Sequence, residues 1–446
     1  MLYRDWKADD VVKYTSSIEA DREILDAVKL VMKAHVVELY LSGYISRELA
    51  RRIVQSVNSF RDLPEGYEDV HEALEDYIIK TVGEEGGWIG FARSRNDHVA
   101  AALRIRVREL LLDLLEDLLD FREALLKRAE EEKGTLFPVY THFQPAQPST
   151  FGHYLSYVEE EIASRWALGL QALKNVNRSP LGSGAIVGTN AKIDRLREAK
   201  HLGFFELIYN TISATGSRLD LFDSTYFAVS LLEAYSRVAE DLVLLSSKFT
   251  DYVQLPDSHV STSSLMPQKR NAVTMEVLRA RASLCMGKLT GALTAYKALP
   301  SGYNLDLQEI NTVYFDCLKE ASLGTQVLKS ALLGLKVKGK PLDEETLATD
   351  EAELRAMKGV PYRKAYKEVA QEIRAGSFRP SISLTQSIEM KSTLGSPNPQ
   401  QLLKAIEFQR QRLESHRAVL EELRSKIDEG LASLRVIEDD LLQEGD

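Results

Sequence analysis

The chain has 446 residues, more than one hydrophobic core usually holds, and the common size of about 100–200 residues per domain predicts two to four domains. Acidic side chains outnumber basic ones by 66 to 56, and the resulting formal charge of −10 argues against a general affinity for nucleic acid or for anionic membranes. Any anion-binding site must therefore be local.

Cysteine content and the absence of long apolar runs indicate the cellular compartment. The chain has two cysteines, Cys285 and Cys317, both inside apolar helical patterns. They support neither a disulfide framework nor a thiolate metal site, and they fit a reducing cytosol. The N-terminal stretch MLYRDWKADD lacks the apolar core of a signal peptide, and no apolar run approaches the roughly 20 residues that span a bilayer. We therefore expect a soluble, cytoplasmic protein.

Residues 1–93 carry short helical patterns with frequent interruptions. The breaks fall at Gly43, at Pro64–Gly66 and in a glycine-rich turn over residues 83–90. Glycine and proline are the strongest local breakers of helices. The pattern predicts a separate small helical domain over residues 1–93.

Residues 94–340 carry much longer helical patterns. From Val99 to Lys133, leucine and valine recur at spacings of three and four, which is typical of one amphipathic helix. Asn96 or Asp97 is the candidate N-cap, and Gly134 is the stop signal. At about 1.5 Å per residue this helix spans about 50 Å. The sequence predicts a central bundle of long helices, because similar patterns follow at 150–177, 221–252, 272–298 and 308–335.

Residues 341–446 form the third predicted domain, where the chain again breaks into shorter pieces after Gly339–Pro341. From about Gln400 to Leu442 the sequence is strongly charged and has an apolar helical stripe. This pattern favours an antiparallel pair of helices over a coiled coil. The sequence as a whole predicts an all-α chain of three domains.

Two polar segments interrupt the central helical region. Residues 94–98 read SRNDH at the start of the first long helix, where free N–H groups and the positive end of the helix dipole favour a carboxylate or phosphate. An elaborate N-cap explains the same residues. Residues 141–148 read THFQPAQP and place a histidine and two prolines between helices, although a lone loop histidine is more often simply solvated.

A third polar segment, STSSLMPQKRN at 261–271, holds four hydroxyls, a proline and two cations, with almost nothing that packs a core. It is therefore predicted to be a loop. A serine is a poor base unless its pKa is lowered, and Lys269, Arg270 and the following helix N-terminus are the available means. Such a loop can also open for a substrate and close over it. A merely basic, solvated loop is the alternative.

SSLMPQKRN at 263–271 resembles the signature loop of the fumarase/aspartase superfamily, and its Gln268 resembles the argininosuccinate lyase branch. The other motifs of that branch follow in the same order, over about Ser17 to Tyr366. They are SRND at 94–97, THFQPAQP at 141–148, PLGSGAIVGT at 180–189, LPSGYNLDLQE at 299–309 and ATDEAELRAMKGVPYRKAY at 348–366.

This resemblance implies both an assembly and a reaction. It implies a homotetramer whose central helices form a twenty-helix bundle, with active sites built from three subunits. It also implies a carbon–nitrogen lyase of arginine biosynthesis that converts argininosuccinate into arginine and fumarate, with no metal or organic cofactor.

The resemblance assigns four catalytic residues. Ser263 matches the base that removes a proton from the carbon next to a carboxylate. Lys269 would stabilise the serine alkoxide and the doubly charged aci-carboxylate that forms. His142 matches a group that acts as the acid or orients the acid, and Glu276 matches the carboxylate that holds this imidazole charged.

Nine further residues match substrate-binding positions of the family. Ser94, Asn96 and Thr141 would bind the carboxylates on the fumarate side, and Asn271 would donate to the aci-carboxylate. The amino-acid end of the substrate would be held by Ser17, Asp21, Tyr303 and Gln308. The full set is Ser17, Asp21, Ser94, Arg95, Asn96, Thr141, Asn271, Tyr303 and Gln308.

Among the positions that depart from the family pattern, three stand where charged residues are usual. The lysine that follows LQED is replaced by Asn311, so one expected carboxylate contact is missing. Ser213 and Leu219 stand where acidic residues are usual. These changes leave the amino-acid specificity open. The candidates to supply the missing cation are Arg93, Arg95 and Arg270.

Two other functions fit parts of the sequence. MPQKRN lies close to the MPHKRN of adenylosuccinate lyases, so a lyase for another N-succinyl compound is the first alternative. A non-catalytic relative, like the lens crystallins of this superfamily, is the second. The presence of Ser263, Lys269, His142 and Glu276 argues against it.

Overall fold

The computed structural model describes residues 9–61, 63–64 and 66–443. Most of the N-terminal stretch MLYRDWKADD, and Glu65 of the predicted break at Pro64–Gly66, lie outside the described residues. Four helices precede the long central helix. They are α1 (Asp9–Thr15), α2 (Leu25–Leu41), α3 (Arg47–Ser59) and α4 (Val70–Val82).

The central part of the chain consists of long helices joined by short strands and loops, which confirms the mostly helical fold. The helices are α5 (Arg95–Glu131), α6 (Phe151–Ala163), α7 (Trp166–Val176), α8 (Arg195–His201), α9 (Thr211–Gly216), α10 (Leu219–Ser246), α11 (Val273–Tyr296), α12 (Asp306–Glu309) and α13 (Asn311–Gly334). Four more follow: α14 (Ala348–Met357), α15 (Tyr362–Arg374), α16 (Leu384–Met390) and α17 (Pro399–Leu442).

Six short strands form three two-stranded sheets among the described residues. β1 (Leu136–Thr141) pairs antiparallel with β2 (Gln144–Thr150), and β3 (Arg178–Ser179) pairs parallel with β4 (Glu206–Leu207). β5 (Val253–Gln254) pairs antiparallel with β6 (Lys336–Val337), which follows α13. The last pairing ties the chain before the serine-rich loop to the end of α13.

Helix α5 begins earlier than predicted, because Ser94 is its N-cap. The Ser94 hydroxyl accepts the Asn96 N–H at 3.2 Å, and Asp97 Oδ1 accepts the Ser94 N–H at 3.0 Å, which completes a capping box. The prediction that Asn96 or Asp97 is the cap was therefore wrong. With 37 residues, α5 rises about 55 Å.

Contacts along α5 define two ends of the bundle. At end A, near Arg104, the Arg104 guanidinium lies 2.9 Å from Asp220 at the start of α10. At end B, near Arg128, that side chain donates to the carbonyls of Leu332 and Leu335 at the end of α13. Helices α5 and α10 therefore start at end A, and α13 ends at end B.

The segment predicted as a polar break between helices is a β-hairpin at end B. Thr141 pairs with Gln144, so the turn consists of His142 and Phe143, both with positive φ, at 55° and 60°. Pro138 pairs with Pro148 across the ribbon. A two-stranded ribbon has only edge strands, which tolerate proline.

The predicted helical pair at the C-terminus is instead one helix, α17, of 44 residues. Gly430 lies within this helix, where close packing leaves no space for a side chain. A Cβ at Gly430 would lie 2.4 Å from the carbonyl oxygen of Lys200 and 2.7 Å from Cα of Gly203. The helix passes close to the backbone of the α8 region there, so no turn is required.

The buried apolar residues form one large cluster and one small one. The large cluster includes side chains of α2–α5, the long central helices and α17. The small cluster consists of Ala352, Ala365, Val369 and Phe378. The division into domains 1–93, 94–340 and 341–446 stays a prediction. Within the described part of the chain, no helix has the length and apolar character to cross a bilayer.

Candidate active site

Ser17 and Asp21 lie together at end A. The Ser17 hydroxyl donates to Asp21 Oδ2 at 2.8 Å, and the Val70 N–H donates to the same oxygen at 3.1 Å. The Asp21 carboxyl is 6% exposed, and this burial raises its pKa to about 6. The two predicted residues thus form one buried, hydrogen-bonded unit against the start of α4.

Arg95 connects the start of α5 to the start of α4. Its guanidinium is ion-paired with Asp69, and Glu68 lies 3.8 Å away. Asp69 is also the N-cap of α4, since its carboxylate accepts the Glu72 N–H at 2.8 Å. The cation predicted to bind substrate therefore already has carboxylate partners in the chain.

Asn96 and Asp97 hold the PLGSGAIVGT loop at 180–189 against the start of α5. Asn96 Nδ2 donates to the Ala185 carbonyl at 3.1 Å, and Asp97 Oδ2 accepts the Gly184 N–H at 2.9 Å. Asp97 is fully buried, which raises its pKa to about 6. From the sequence, Asp97 was predicted only as a helix cap, and its role in anchoring the 180–189 loop was missed.

Tyr303 and Gln308 complete the cluster at end A. Gln308 Nε2 donates to the Thr15 carbonyl at 2.9 Å, next to Ser17. Tyr303 is half-buried, and burial raises the pKa of its hydroxyl, which interacts electrostatically with Arg95, Asp69 and Asp21. The structure therefore brings together seven of the predicted residues: Ser17, Asp21, Ser94, Arg95, Asn96, Tyr303 and Gln308.

The serine-rich segment is a loop at end B, as predicted, and it is closed at its base. Ser261 and Asn271 exchange backbone hydrogen bonds of 3.0 and 2.9 Å. The Ser263 hydroxyl oxygen accepts the N–H groups of Leu265 at 3.2 Å and Met266 at 3.1 Å. The loop thus presents one serine oxygen to two backbone donors.

The two cations of this loop have different surroundings. Lys269 is exposed, and its ammonium has no partner among the described residues. Arg270 lies 2.7 Å from the Asp257 carboxylate and donates to the Leu255 carbonyl at 3.0 Å. Lys269 is therefore available to a substrate, whereas Arg270 fastens the base of the loop.

Thr141, His142 and Glu276 are exposed at end B. His142 lies in the hairpin turn and Glu276 in the first turn of α11. Among the described residues, no hydrogen bond or ion pair joins His142 to Glu276 or to Ser263. The structure of one chain therefore does not form the His142–Glu276 pair that the resemblance implies.

The predicted site residues fall into two groups at opposite ends of the bundle. The end A group surrounds the start of α5, and the end B group lies beyond its last turn. Since α5 has 37 residues, about 50 Å separate the two groups within one chain. The end B group consists of Thr141, His142, Ser263, Lys269, Asn271 and Glu276.

The three candidates for the missing cation all have carboxylate partners. Arg93 lies 2.5 Å from Glu75, Arg95 is paired with Asp69, and Arg270 with Asp257. Asn311, at the position of the expected lysine, is buried, and its Oδ1 accepts no hydrogen bond. The partnership of Asp69 with Arg95 was not predictable from the sequence, because an aspartate three residues before a glutamate indicates only a helix cap.

Comparisons with known proteins show the family of this chain. A family model described as "Lyase" matches residues 14–287. The chain is 55% identical to the argininosuccinate lyase of Sulfurisphaera tokodaii, over 99% of this chain and 100% of that one. It is 52% identical to the argininosuccinate lyase of Sulfolobus acidocaldarius, over 100% of both chains.

Among solved structures, EDDS lyase in complex with formate has the same fold, with a TM-score of 0.83 and 24% identity over 95% of this chain and 92% of that chain. This likeness concerns the fold alone. The identity to the two archaeal enzymes extends over essentially the whole length. The chain therefore belongs to the argininosuccinate lyase family of carbon–nitrogen lyases.

Proposed function

We propose that this enzyme cleaves argininosuccinate into arginine and fumarate, in arginine biosynthesis and in the cytoplasm. The observation that carries the proposal is the full-length identity of 52–55% to enzymes named argininosuccinate lyase. The exposed serine loop, with an unpaired lysine six residues after Ser263, supplies groups suited to this reaction.

The proposed reaction begins at Ser263. Two N–H donors at its oxygen favour the alkoxide over the hydroxyl, and the Lys269 ammonium would add a charge-assisted contact. The alkoxide removes a proton from the carbon next to a carboxylate of the succinyl group. The electron pair moves into that carboxylate and gives an aci-carboxylate, which Lys269 and Asn271 would stabilise.

The second step breaks the carbon–nitrogen bond. The electron pair of the aci-carboxylate forms the double bond of fumarate. The guanidino nitrogen leaves with the electron pair of the broken carbon–nitrogen bond. That nitrogen takes up a proton to give arginine. His142, which the family resemblance pairs with Glu276, either donates this proton or orients its donor.

A homotetramer is the proposed assembly, supported by the exposed face of α11. Leu284 is 65% exposed on this 24-residue helix, and Val277, seven residues before it on the same face, is exposed as well. Gly287 and Gly291 lie one turn apart with open space where a Cβ would stand. An apolar helical face with small residues suits close packing against helices of other copies.

Composite sites follow from the separation of the two groups. A substrate of this size cannot contact Asn96 and Ser263 of the same chain across about 50 Å. If copies pack with their bundles antiparallel, end A of one subunit lies beside end B of another. The proposed site then takes Ser94 and Asn96, His142, and Ser263 from different subunits.

The activity is tested by incubating the purified protein with argininosuccinate. Fumarate is followed by its absorbance and arginine by chromatography, with adenylosuccinate as the parallel substrate. We expect equal amounts of both products from argininosuccinate and none from adenylosuccinate. Fumarate from adenylosuccinate alone would establish the other lyase reaction, and no product from either substrate would support a crystallin-like relative.

A further inference from the structure

Arg218 is a buried cation without a carboxylate partner. The residue is 1% exposed and lies between α9 and α10. Its Nη1 donates to the carbonyls of Thr215 at 3.0 Å and Ser217 at 3.1 Å, while its Nε is buried with no partner in the described part of the chain. No carboxylate of the described residues forms an ion pair with this guanidinium. A buried cation of this kind calls for an anion.

The surroundings of Arg218 carry an excess of positive charge. Arg104 and Arg178 both pair with the single carboxylate of Asp220, each at 2.9 Å, and Arg104 Nη2 is buried without a partner. Electrostatic coupling joins Arg218 to Arg104 and to the hydroxyl of Tyr314, which is itself buried and unpartnered. Two guanidinium groups therefore share the Asp220 carboxylate, and Arg218 beside them pairs with none, so a second negative charge would help to balance this group.

A cavity of about 440 Å³ lies beside Arg218. Its lining includes Gly216 and Ser217, the two residues before Arg218, together with Ser213, Tyr296 and Gly302. Both Tyr296 and the neighbouring Tyr303 interact electrostatically with the Arg218 guanidinium. A volume of this size is ample for an amino-acid group.

The cavity borders the end A cluster, since Gly302 and Leu307 in its lining directly precede Tyr303 and Gln308 in the chain. A Cβ at Gly216 would lie 2.6 Å from the backbone of Gly302, so α9 packs directly on the segment that leads into Tyr303. A Cβ at Gly302 would lie 2.8 Å from Cδ1 of Ile186, in the loop that Asn96 holds. Arg218 and the predicted substrate-binding residues thus border one region.

We infer that Arg218 binds the α-carboxylate of the amino-acid end of the substrate. This inference rests on the proposed function and assigns to Arg218 the contact that the family's lysine would make at Asn311. A guanidinium suits a carboxylate because it donates two parallel hydrogen bonds. Ser213 and Leu219 are neutral, so neither competes with the substrate for this cation.

Binding of the product and of its decarboxylated analogue tests the contact without turnover. Calorimetric titration of the wild-type enzyme with L-arginine and with agmatine compares ligands that differ only in the carboxylate. We expect L-arginine to bind at least about tenfold more tightly, as one charge-assisted contact predicts. In Arg218→Gln this preference should disappear, and in Arg218→Lys part of it should return. A wild-type enzyme that binds both ligands equally would overturn the inference.

Steady-state kinetics give a second test that does not depend on a change at a buried position. Ser213→Asp places a carboxylate at an exposed position of the cavity, where it would compete for Arg218. We expect KM for argininosuccinate to rise about tenfold with kcat within about threefold of wild type, because only ground-state binding is weakened. Lys297→Gln removes an exposed cation from the same cavity and is the matched control, with KM within about twofold.

The two kinds of failure are distinguishable. If the wild-type enzyme releases no fumarate from argininosuccinate, the proposed function fails. Even then, a binding preference for L-arginine over agmatine that Arg218→Gln abolishes would still support the carboxylate contact. If the wild-type enzyme is active but Ser213→Asp leaves KM unchanged, or Lys297→Gln raises it more than Ser213→Asp does, the inference about Arg218 is wrong and the lyase function stands.

Discussion

Ser263 and its neighbour Ser264 differ in surroundings, although both belong to the same loop. Ser263 Oγ accepts two backbone N–H groups, at 3.2 and 3.1 Å, whereas Ser264 makes no side-chain hydrogen bond with the described residues. Donors aimed at an oxygen stabilise its charged form. The geometry therefore separates a serine suited to act as a base from one that is merely exposed.

Replacing Ser263 should abolish the proton transfer without disturbing the fold. We expect Ser263→Ala to lower kcat by about three orders of magnitude or more, the range for an essential proton-transfer group. Ser264→Ala removes the same hydroxyl one residue away and should keep kcat within about threefold. Fumarate release measures both, and a Ser263→Ala enzyme within about tenfold of wild type would remove this residue from the role.

His71 is a buried histidine near the predicted anion site. It is 4% exposed, and neither ring nitrogen has a hydrogen-bond partner among the residues that the structure describes. Burial, with Arg93 and Arg95 nearby, lowers its pKa to about 4, and Asp69 opposes this shift. The folded protein thus holds His71 neutral at pH values where the unfolded chain, with a pKa of about 6.5, is protonated.

The pKa of His71 predicts a specific pH dependence of stability. Between pH 6.5 and 4 the unfolded state binds more protons at this residue, so the free energy of unfolding falls as the pH falls, by up to about 1.4 kcal/mol per pH unit. His71→Leu should remove this contribution and flatten the curve in that window. The exposed His142→Leu is the control. Denaturant unfolding at several pH values measures the slopes, and identical slopes for wild type and His71→Leu would refute the prediction.

Site residues in polar motifs were predictable from the sequence, whereas Arg218 was not. Ser263, Asn96 and His142 stand in polar motifs that interrupt long helical patterns, so the sequence marks them. Arg218 stands in the segment TGSRLD, where a single arginine before a helix looks like a solvated cap residue. Its burial depends on α9 packing against the Gly302 segment, a contact between residues more than eighty positions apart that periodicity does not reveal.

Among the secondary-structure elements, the long helices were predictable and the hairpin was not. Apolar spacing located α5, α10, α11 and α13 to within a few residues. The hairpin was missed because its turn lacks the usual signals: both turn residues have positive φ, yet they are His142 and Phe143, where asparagine and glycine are preferred. Similarly, Gly430 lies within α17, where the helix passes close to the backbone of Lys200 and Gly203. A glycine in a sequence can mark either a helix break or such a close contact.

In the hairpin turn, Phe143 has an unfavourable backbone conformation, and a glycine substitution can relieve this strain. Phe143 is 79% exposed with φ of 60°, a conformation that costs a side chain with a Cβ about 1 kcal/mol. Phe143→Gly and Phe143→Ala lose the same exposed ring, but only glycine escapes the strain. We expect the glycine variant to be more stable than the alanine variant by about 1 kcal/mol in denaturant unfolding. An alanine variant of equal or greater stability would show that the turn stores no strain.

At the scale of the whole molecule, one chain holds its two groups of site residues at opposite ends of the bundle. The proposed active site needs both groups, so neither group forms it alone. End A offers buried polar groups that hold the start of α5, the 180–189 loop and Tyr303 in place. End B offers a partly buried serine together with an exposed lysine and an exposed histidine, on a loop and a turn. Sequence motifs give the order of these parts along the chain, but the length of α5 is what places them at opposite ends.

Mixing two inactive variants tests whether active sites combine ends of different subunits. Asn96→Ala damages end A and Ser263→Ala damages end B, and each alone should be nearly inactive. In a refolded equal mixture, a site is intact when its end A comes from a Ser263→Ala chain and its end B from an Asn96→Ala chain, so about a quarter of sites should recover. Ser94→Ala mixed with Asn96→Ala is the control without recovery, because both changes fall in the same segment. Absence of fumarate release from the first mixture, after subunit exchange has been verified with tagged chains, would mean that each active site takes both ends from one chain and that the composite site does not exist.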